Sequence, residues 1–142
     1  MWPAWIDILG SGSNNRAMTK PEAVRRIKSY SAANGYVYQY CFHEVNRVLL
    51  DGAAAGEFIY AISVDRATSF GLRIFVMQAA LDAWTRVNGR VLTSSEEYAV
   101  AKIRLFQAFD EGMVPRTAEG AAELRLMVDE TNLEELLRAL NI

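Results

Sequence analysis

The stretch from Glu57 to Val76 alternates apolar with small or polar residues, pauses at a short polar segment, and alternates again. Phe58, Tyr60, Ile62 and Val64 share one parity, with Glu57, Ala61 and Ser63 on the other. After Asp65-Arg66-Ala67-Thr68 the apolar set resumes as Phe70, Leu72, Ile74 and Val76. A period of two on both sides of a polar turn matches antiparallel strands, whose side chains point alternately to opposite faces. A helix would scatter the same residues around its circumference. The segment therefore imposes a sheet layer on a chain that otherwise reads as largely helical. Directly opposed residues must share a face. Setting Val64 against Phe70, Ile62 against Leu72 and Tyr60 against Ile74 keeps the faces unmixed. That parity predicts a connection of odd length, three or five residues.

Upstream, Thr19 and Glu22 have the spacing of a capping box, and Pro21 suits a first helical turn. Ala23, Val24, Ile27 and Tyr30 would form the inward stripe of a first helix stopped by Asn34-Gly35. A strand is expected from Tyr36. Tyr36, Tyr38, Tyr40 and Phe42 lie on one face, and Val37, Gln39, Cys41, His43 and Val45 on the other. Asp51 to Gly56, small and flanked by glycine, reads as a loop.

Downstream, Ala80, Leu81, Trp84 and Val87 give a helical stripe ending at Asn88-Gly89. Thr93 and Glu96 form a second capping box. It opens a longer helix with Tyr98, Ala101, Lys102, Leu105, Phe106 and Phe109, stopped at Glu111-Gly112. Leu124, Leu126 and Val128 alternate as in a strand, although a helix from Ala118 through Met127 competes with it. Thr131 and Glu134 form a third box before a last helix carrying Leu136, Leu137 and Leu140. The expected fold is α+β, with an antiparallel sheet of three or four strands packed on one side by helices, in the order α-β-β-β-α-α-(β)-α.

Two parts are expected. Residues 19–142 form one domain, and residues 1–18 form an apolar peptide on a tether. Trp2, Trp5, Ile6 and Leu9 fall at helical spacing before the flexible composition of Gly10 to Asn15. This peptide can pack on its own domain, cover a neighbouring subunit or bind a separate protein; an appended segment is the remaining alternative.

Composition narrows the function. The 142 residues are 51% hydrophobic and 23% charged, an apolar surplus that points to a homo-oligomer for a chain of this size. A net charge of −2 gives no basic field to attract nucleic acid. The single cysteine, Cys41, excludes an internal disulfide. No apolar run reaches the ~18 residues of a membrane span. Asp7 interrupts the N-terminal apolar residues, so a secretory leader is not expected and the cytoplasm is the expected location.

Candidate sites concentrate on the face of the sheet opposite the main apolar set. Gln39, Cys41, His43, Ser63 and Arg73 would meet there beside the apolar Ile59, Ala61 and Phe75. Such a mixed face suits a subunit interface through Ile59 and Phe75, or a shallow ligand site among its polar groups. Cys41 and His43 stand about 6–7 Å apart on a strand, too far for a nucleophile and its base, and no orienting group is evident. With one Cys and one His in the chain, no metal or other cofactor is expected. Lys20, Arg25, Arg26 and Lys28 beside Tyr36, Tyr38 and Tyr40 could bind single-stranded nucleic acid, but the tyrosines match the apolar face and are expected in the core. The leading expectation is a non-enzymatic, self-associating interaction module. A small-molecule binding protein or minor enzyme is the alternative, and nucleic-acid binding the third reading.

Overall fold

A computed structural model describes residues 26–142. The tethered peptide with Trp2, Trp5, Ile6 and Leu9, and the first capping box at Thr19, lie outside the described residues. The described fold is α+β. Its strands are β1 (Lys28–Ser31), β2 (Val37–Leu50), β3 (Ala53–Ser63), β4 (Phe70–Met77) and β5 (Leu126–Val128), arranged in one sheet in chain order. Four helices complete it: α1 (Gln78–Asn88), α2 (Ser94–Asp110), α3 (Ala118–Glu123) and α4 (Leu133–Ala139). Adjacent strands from β1 to β4 are antiparallel, whereas β5 joins β4 in parallel after the chain has passed through three helices. A parallel neighbour needs such a crossover.

The long hairpin is present, with Ile62 opposite Phe70, Tyr60 opposite Leu72 and Phe58 opposite Ile74. The faces are those expected, but the register is shifted by two residues. Ser63 to Ser69 now lie between the last paired residues, so the connection is seven residues long, not three or five. Asp65 explains the length. Its carboxylate accepts the backbone N–H of Ala67 and of Thr68, each at 2.9 Å, and folds the polar segment into a turn of its own. These backbone donors, Thr68 first, hold its carboxyl below the usual aspartate range.

Two corrections concern the first half of the chain. The helix expected to run to Asn34 is a strand over Lys28–Ser31, paired with Tyr40 to Val37. Asn34-Gly35 closes a hairpin, with Gly35 at φ +93° and the Asn34 side chain accepting the Tyr36 N–H at 3.0 Å. Tertiary contacts decide this. The Tyr30 ring stacks on Phe106 at 4.3 Å, and its hydroxyl donates to Asp110 at 2.8 Å. The expected loop over Asp51–Gly56 is only the two-residue turn Asp51-Gly52. Both residues have positive φ, the geometry that best matches the twist of a hairpin.

Three corrections concern the second half. Residues 118–128 divide between the two readings: α3 takes the Ala- and Glu-rich start, and β5 takes Leu126 to Val128. The third capping box does not form, because α4 starts at Leu133 with Asn132 as cap residue and no side-chain cap bond. Asn132 instead donates to the Met127 carbonyl at 3.0 Å and accepts from the Asp129 N–H at 2.9 Å, tying the helix start to β5. Val87, expected to face inward, is 84% exposed at the end of α1.

One core joins the helices to the expected face of the sheet. Tyr38, Tyr40, Phe58, Tyr60, Ile62, Phe70, Leu72, Ile74 and Val76 pack with Val100, Ala101, Leu105, Ala108 and Phe109 of α2 and with Leu133, Leu136 and Leu137 of α4. The second capping box forms in full. Thr93 Oγ1 accepts the Glu96 N–H at 3.1 Å, and Glu96 Oε1 accepts the Thr93 N–H at 2.9 Å. Among the described residues, no helix is long and apolar enough to cross a membrane.

Candidate functional site

The second face of the sheet is shaped by one irregularity. Gln39 to Phe42 pair with Ser63 to Tyr60, whereas Glu44 pairs with Ile59 and Leu50 with Ala53. His43 is the extra residue of a β-bulge. An extra residue resets the alternation, so everything after it changes face relative to what came before. Glu44 and Asn46 therefore join the second face, and Val45 moves to the helix-facing side, contrary to the sequence expectation.

The bulge makes a continuous polar strip across three strands. His43 Nε2 lies 4.0 Å from Glu44 Oε1. The Asn46 amide donates to Glu44 Oε2 at 3.1 Å and to Glu57 Oε1 at 3.4 Å. Glu57 Oε2 pairs with Arg73 at 3.5 Å, and Arg73 also donates to the Ala122 carbonyl of α3 at 2.8 Å while its guanidinium packs over Phe75. Two half-buried carboxylates are thus held apart by one amide and answered by one guanidinium. The strip is internally satisfied, which stabilises a buried polar network more than it exposes reactive groups.

Of the residues singled out from sequence, Gln39, Cys41, His43 and Ser63 are all buried, and Arg73 is half-exposed. Gln39 donates to Ser29 Oγ at 2.9 Å, and Ser63 Oγ accepts the Arg66 N–H at 2.8 Å, so both have structural partners. Cys41 Sγ lies 3.6 Å from the Phe42 carbonyl oxygen. Phe75 is buried and Ile59 half-buried. His43 and Arg73 lie on the strip; Gln39 and Ser63, opposite each other in the β2–β3 pairing, bond to Ser29 and Arg66 and are not joined to it. Sequence reasoning missed Glu44, Asn46 and Glu57. A usable signal was present, since the apolar parity that runs through Phe42 resumes at Val45, an odd step that marks an inserted residue. Among the described residues, no group of three His, Cys, Asp or Glu side chains could hold a metal ion.

Beyond the bulge, β2 and β3 continue as an arm from Glu44 to Glu57. Its helix-facing side carries Val45, 45% exposed, and Leu49, 73% exposed. Arg47 lies between them, opposite Gly56, and reaches Glu97 in the first turn of α2 at 3.6 Å. A side chain at Gly56 would meet the Arg47 guanidinium at 3.1 Å, so glycine gives the arginine its path. β1 covers β2 only from Val37 to Tyr40, and among the described residues no strand lies beside the outer edge from Glu44 to Leu50. Along the arm Arg47, Val48, Leu49, Ala54 and Ala55 line, with Gln78 of α1, an open cleft of about 290 Å³. A smaller cleft of about 160 Å³ lies between α1 and the start of α4. Neither reaches the ~300–1,000 Å³ of an enclosing small-molecule site.

The chain was compared with known protein families, with curated proteins and with solved structures, and nothing matches in any of the three comparisons.

Proposed function

We propose that this chain is a self-associating interaction module and that two copies meet along the outer edge of the arm, from Glu44 to Leu50. The observation that carries the reading is a pair of exposed apolar side chains, Val45 and Leu49, on a strand edge with no neighbour among the described residues. Exposed edges pair readily with another strand. A two-fold antiparallel pairing centred on Arg47 sets each Val45 against Leu49 of the other copy, so one apolar patch completes the other on both sides of the axis. The two arginines that meet at the centre each have Glu97 as an ion partner. Full burial of a Leu or Val side chain stabilises by ~1.5–3 kcal/mol, so four such side chains supply much of a weak dimer's binding free energy.

Sedimentation velocity across a hundredfold concentration range tests this. The wild-type chain is expected to move from monomer to dimer, and Leu49→Glu to remain monomeric with an unchanged circular dichroism spectrum. Equal self-association by the variant refutes the arm as the contact.

The nucleic-acid reading loses its platform, because Tyr38 and Tyr40 are buried in the core and only Tyr36 stands exposed, stacked under Arg116 at 4.4 Å.

A further inference from the structure

The second face of the sheet is buried at its centre, yet the described helices pack on the other side. Cys41, Ala61 and Phe75 are each 3% exposed or less, and none belongs to the core that joins the helices to the sheet. The buried residues of α1, α2, α3 and α4 all lie in that core. α3 touches the margin of the second face, where its Ala122 carbonyl accepts from Arg73. An antiparallel sheet can leave one face in water, and side chains on such a face stay open. Burial of Cys41 and Ala61 to this degree requires a layer over them.

The pairing gives this face a shape. Cys41 is opposite Ala61, and Ala61 is opposite Gly71, so three small residues line up across β2, β3 and β4. Ile59 and Arg73, directly opposed, stand on one flank of that row, and Gln39 and Ser63 on the other. The flanks are four residues apart along β3, ~13 Å by the rise of a strand, which leaves room for an aromatic ring between them. The row is thus the floor of a shallow trough that runs across the strands.

The chain before Arg26 starts out beside this trough. β1 runs antiparallel to β2 with Lys28 opposite Tyr40, so the same register carries Ile27 and Arg26 towards Cys41 and Phe42. Gly10 to Arg25 can reach ~50 Å when extended, whereas the strands from β1 to β4 span ~15 Å. Trp2, Trp5, Ile6 and Leu9 have the spacing of a single helical stripe. A tether of this length holds such a peptide at an effective concentration of about millimolar, so at micromolar protein its own domain outcompetes a neighbour's.

We infer that the stripe of Trp2, Trp5, Ile6 and Leu9 docks on the second face of its own chain, with the tryptophan rings in the trough over Cys41, Ala61 and Gly71. The peptide supplies the layer that the burial of Cys41 and Ala61 requires, and the small floor gives large rings a close fit. Ile59 and Phe75 then meet this peptide and not a second subunit. Self-association along the arm is a separate contact on a different edge of the sheet.

Cys41 is the chain's single thiol and lies in the trough floor, so its reaction with an aromatic disulfide reagent reads the cover directly. In the full chain it should react slowly, at a rate independent of protein concentration. Trp2→Ser combined with Trp5→Ser should accelerate the reaction by about tenfold or more, with an unchanged circular dichroism spectrum. Asp7→Ser, on the opposite side of the helical stripe, should leave the rate unaltered, as should Leu49→Glu in the arm. The reciprocal variant keeps the test valid if the double variant does not fold. Ile59→Ser should increase iodide quenching of Trp2 and Trp5, read in a Trp84→Phe background. An unchanged Cys41 rate in the folded double variant, equal acceleration by Asp7→Ser, or unaltered quenching with Ile59→Ser overturns the docking. Protection of Cys41 that appears only as the chain is concentrated puts a second copy on the face and overturns docking within one chain.

Discussion

The same two strands behave differently on the two sides of the His43 bulge. Before it, β2 has β1 on one edge and β3 on the other, and its aromatic side chains are stacked against α2. Tyr38, for instance, lies 4.2 Å from Phe109 with the rings 9° from parallel. After it, the backbone ladder to β3 continues to Ala53, but Ala53, Ala54 and Gly56 stand opposite Leu50, Leu49 and Arg47. Pairing with β3 is therefore equal in the two regions, while the second neighbouring strand and the burial are not. The body gains its stability from large side chains meeting a helix; the arm offers large side chains that small partners leave uncovered. An edge strand of this kind offers unpaired backbone groups to another strand, which is the physical basis of the proposed self-association.

The comparison is broken most severely from the body. Phe109→Ala removes a fully buried ring that contacts Tyr30, Tyr38, Tyr40 and Phe106, and should cost ~3–5 kcal/mol in urea unfolding. Leu49→Ala in the arm should change monomer stability by no more than ~0.5 kcal/mol, as exposed positions do. A loss of more than 2 kcal/mol at Leu49 in dilute solution would mean that the arm is buried in the monomer.

Smaller effects sharpen the same contrast. Gly52→Ala introduces a side chain at φ +87° in the arm's tip and should cost ~1–2 kcal/mol, weakening dimerisation as much as folding. Thr93→Ala removes one half of the capping box of α2 and should cost ~1 kcal/mol, with no effect on self-association. Acid reads the other half. Arg90, then the Thr93 N–H, hold the Glu96 carboxyl down to about 2 from an ordinary 4.5. A depressed carboxyl stabilises the fold above its unfolded pKa, and that contribution fades as pH falls from about 4.5 towards 2. Glu96→Gln should flatten the stability profile in that window; an unchanged acid limb would disprove the pairing. Tyr60→Phe removes a buried hydroxyl without a partner and should be neutral or stabilising by up to ~1 kcal/mol in thermal unfolding.

Much of the body was legible in the sequence because period-two and period-3.6 patterns report which faces are buried. The long hairpin, the Thr93 box and the Gly89 stop required nothing beyond local chemistry. Lys28–Ser31 was not legible, because a stripe of Ile27 and Tyr30 suits a helix, and only Asp110 and Phe106, some eighty residues away, make the strand the better choice. The arm was hidden by composition. Three alanines carry little strand preference of their own, so Ala53 to Ala55 look like loop until Val48, Leu49 and Leu50 pair with them. The polar strip was half legible: His43 and Arg73 were placed on the correct face, while Glu44 and Asn46 depended on a bulge that shows in the sequence only as an odd step between Phe42 and Val45.

Hydrogen exchange of the Glu44–Leu50 amides, followed against protein concentration, is the most direct test of the arm as a contact edge. Those of these amides that point away from β3 should show low protection in dilute solution and gain it with concentration, while amides of Tyr60 to Ile62 stay protected throughout. Protection of these outward-pointing amides that is already high in dilute solution, or does not change with concentration, contradicts the proposal.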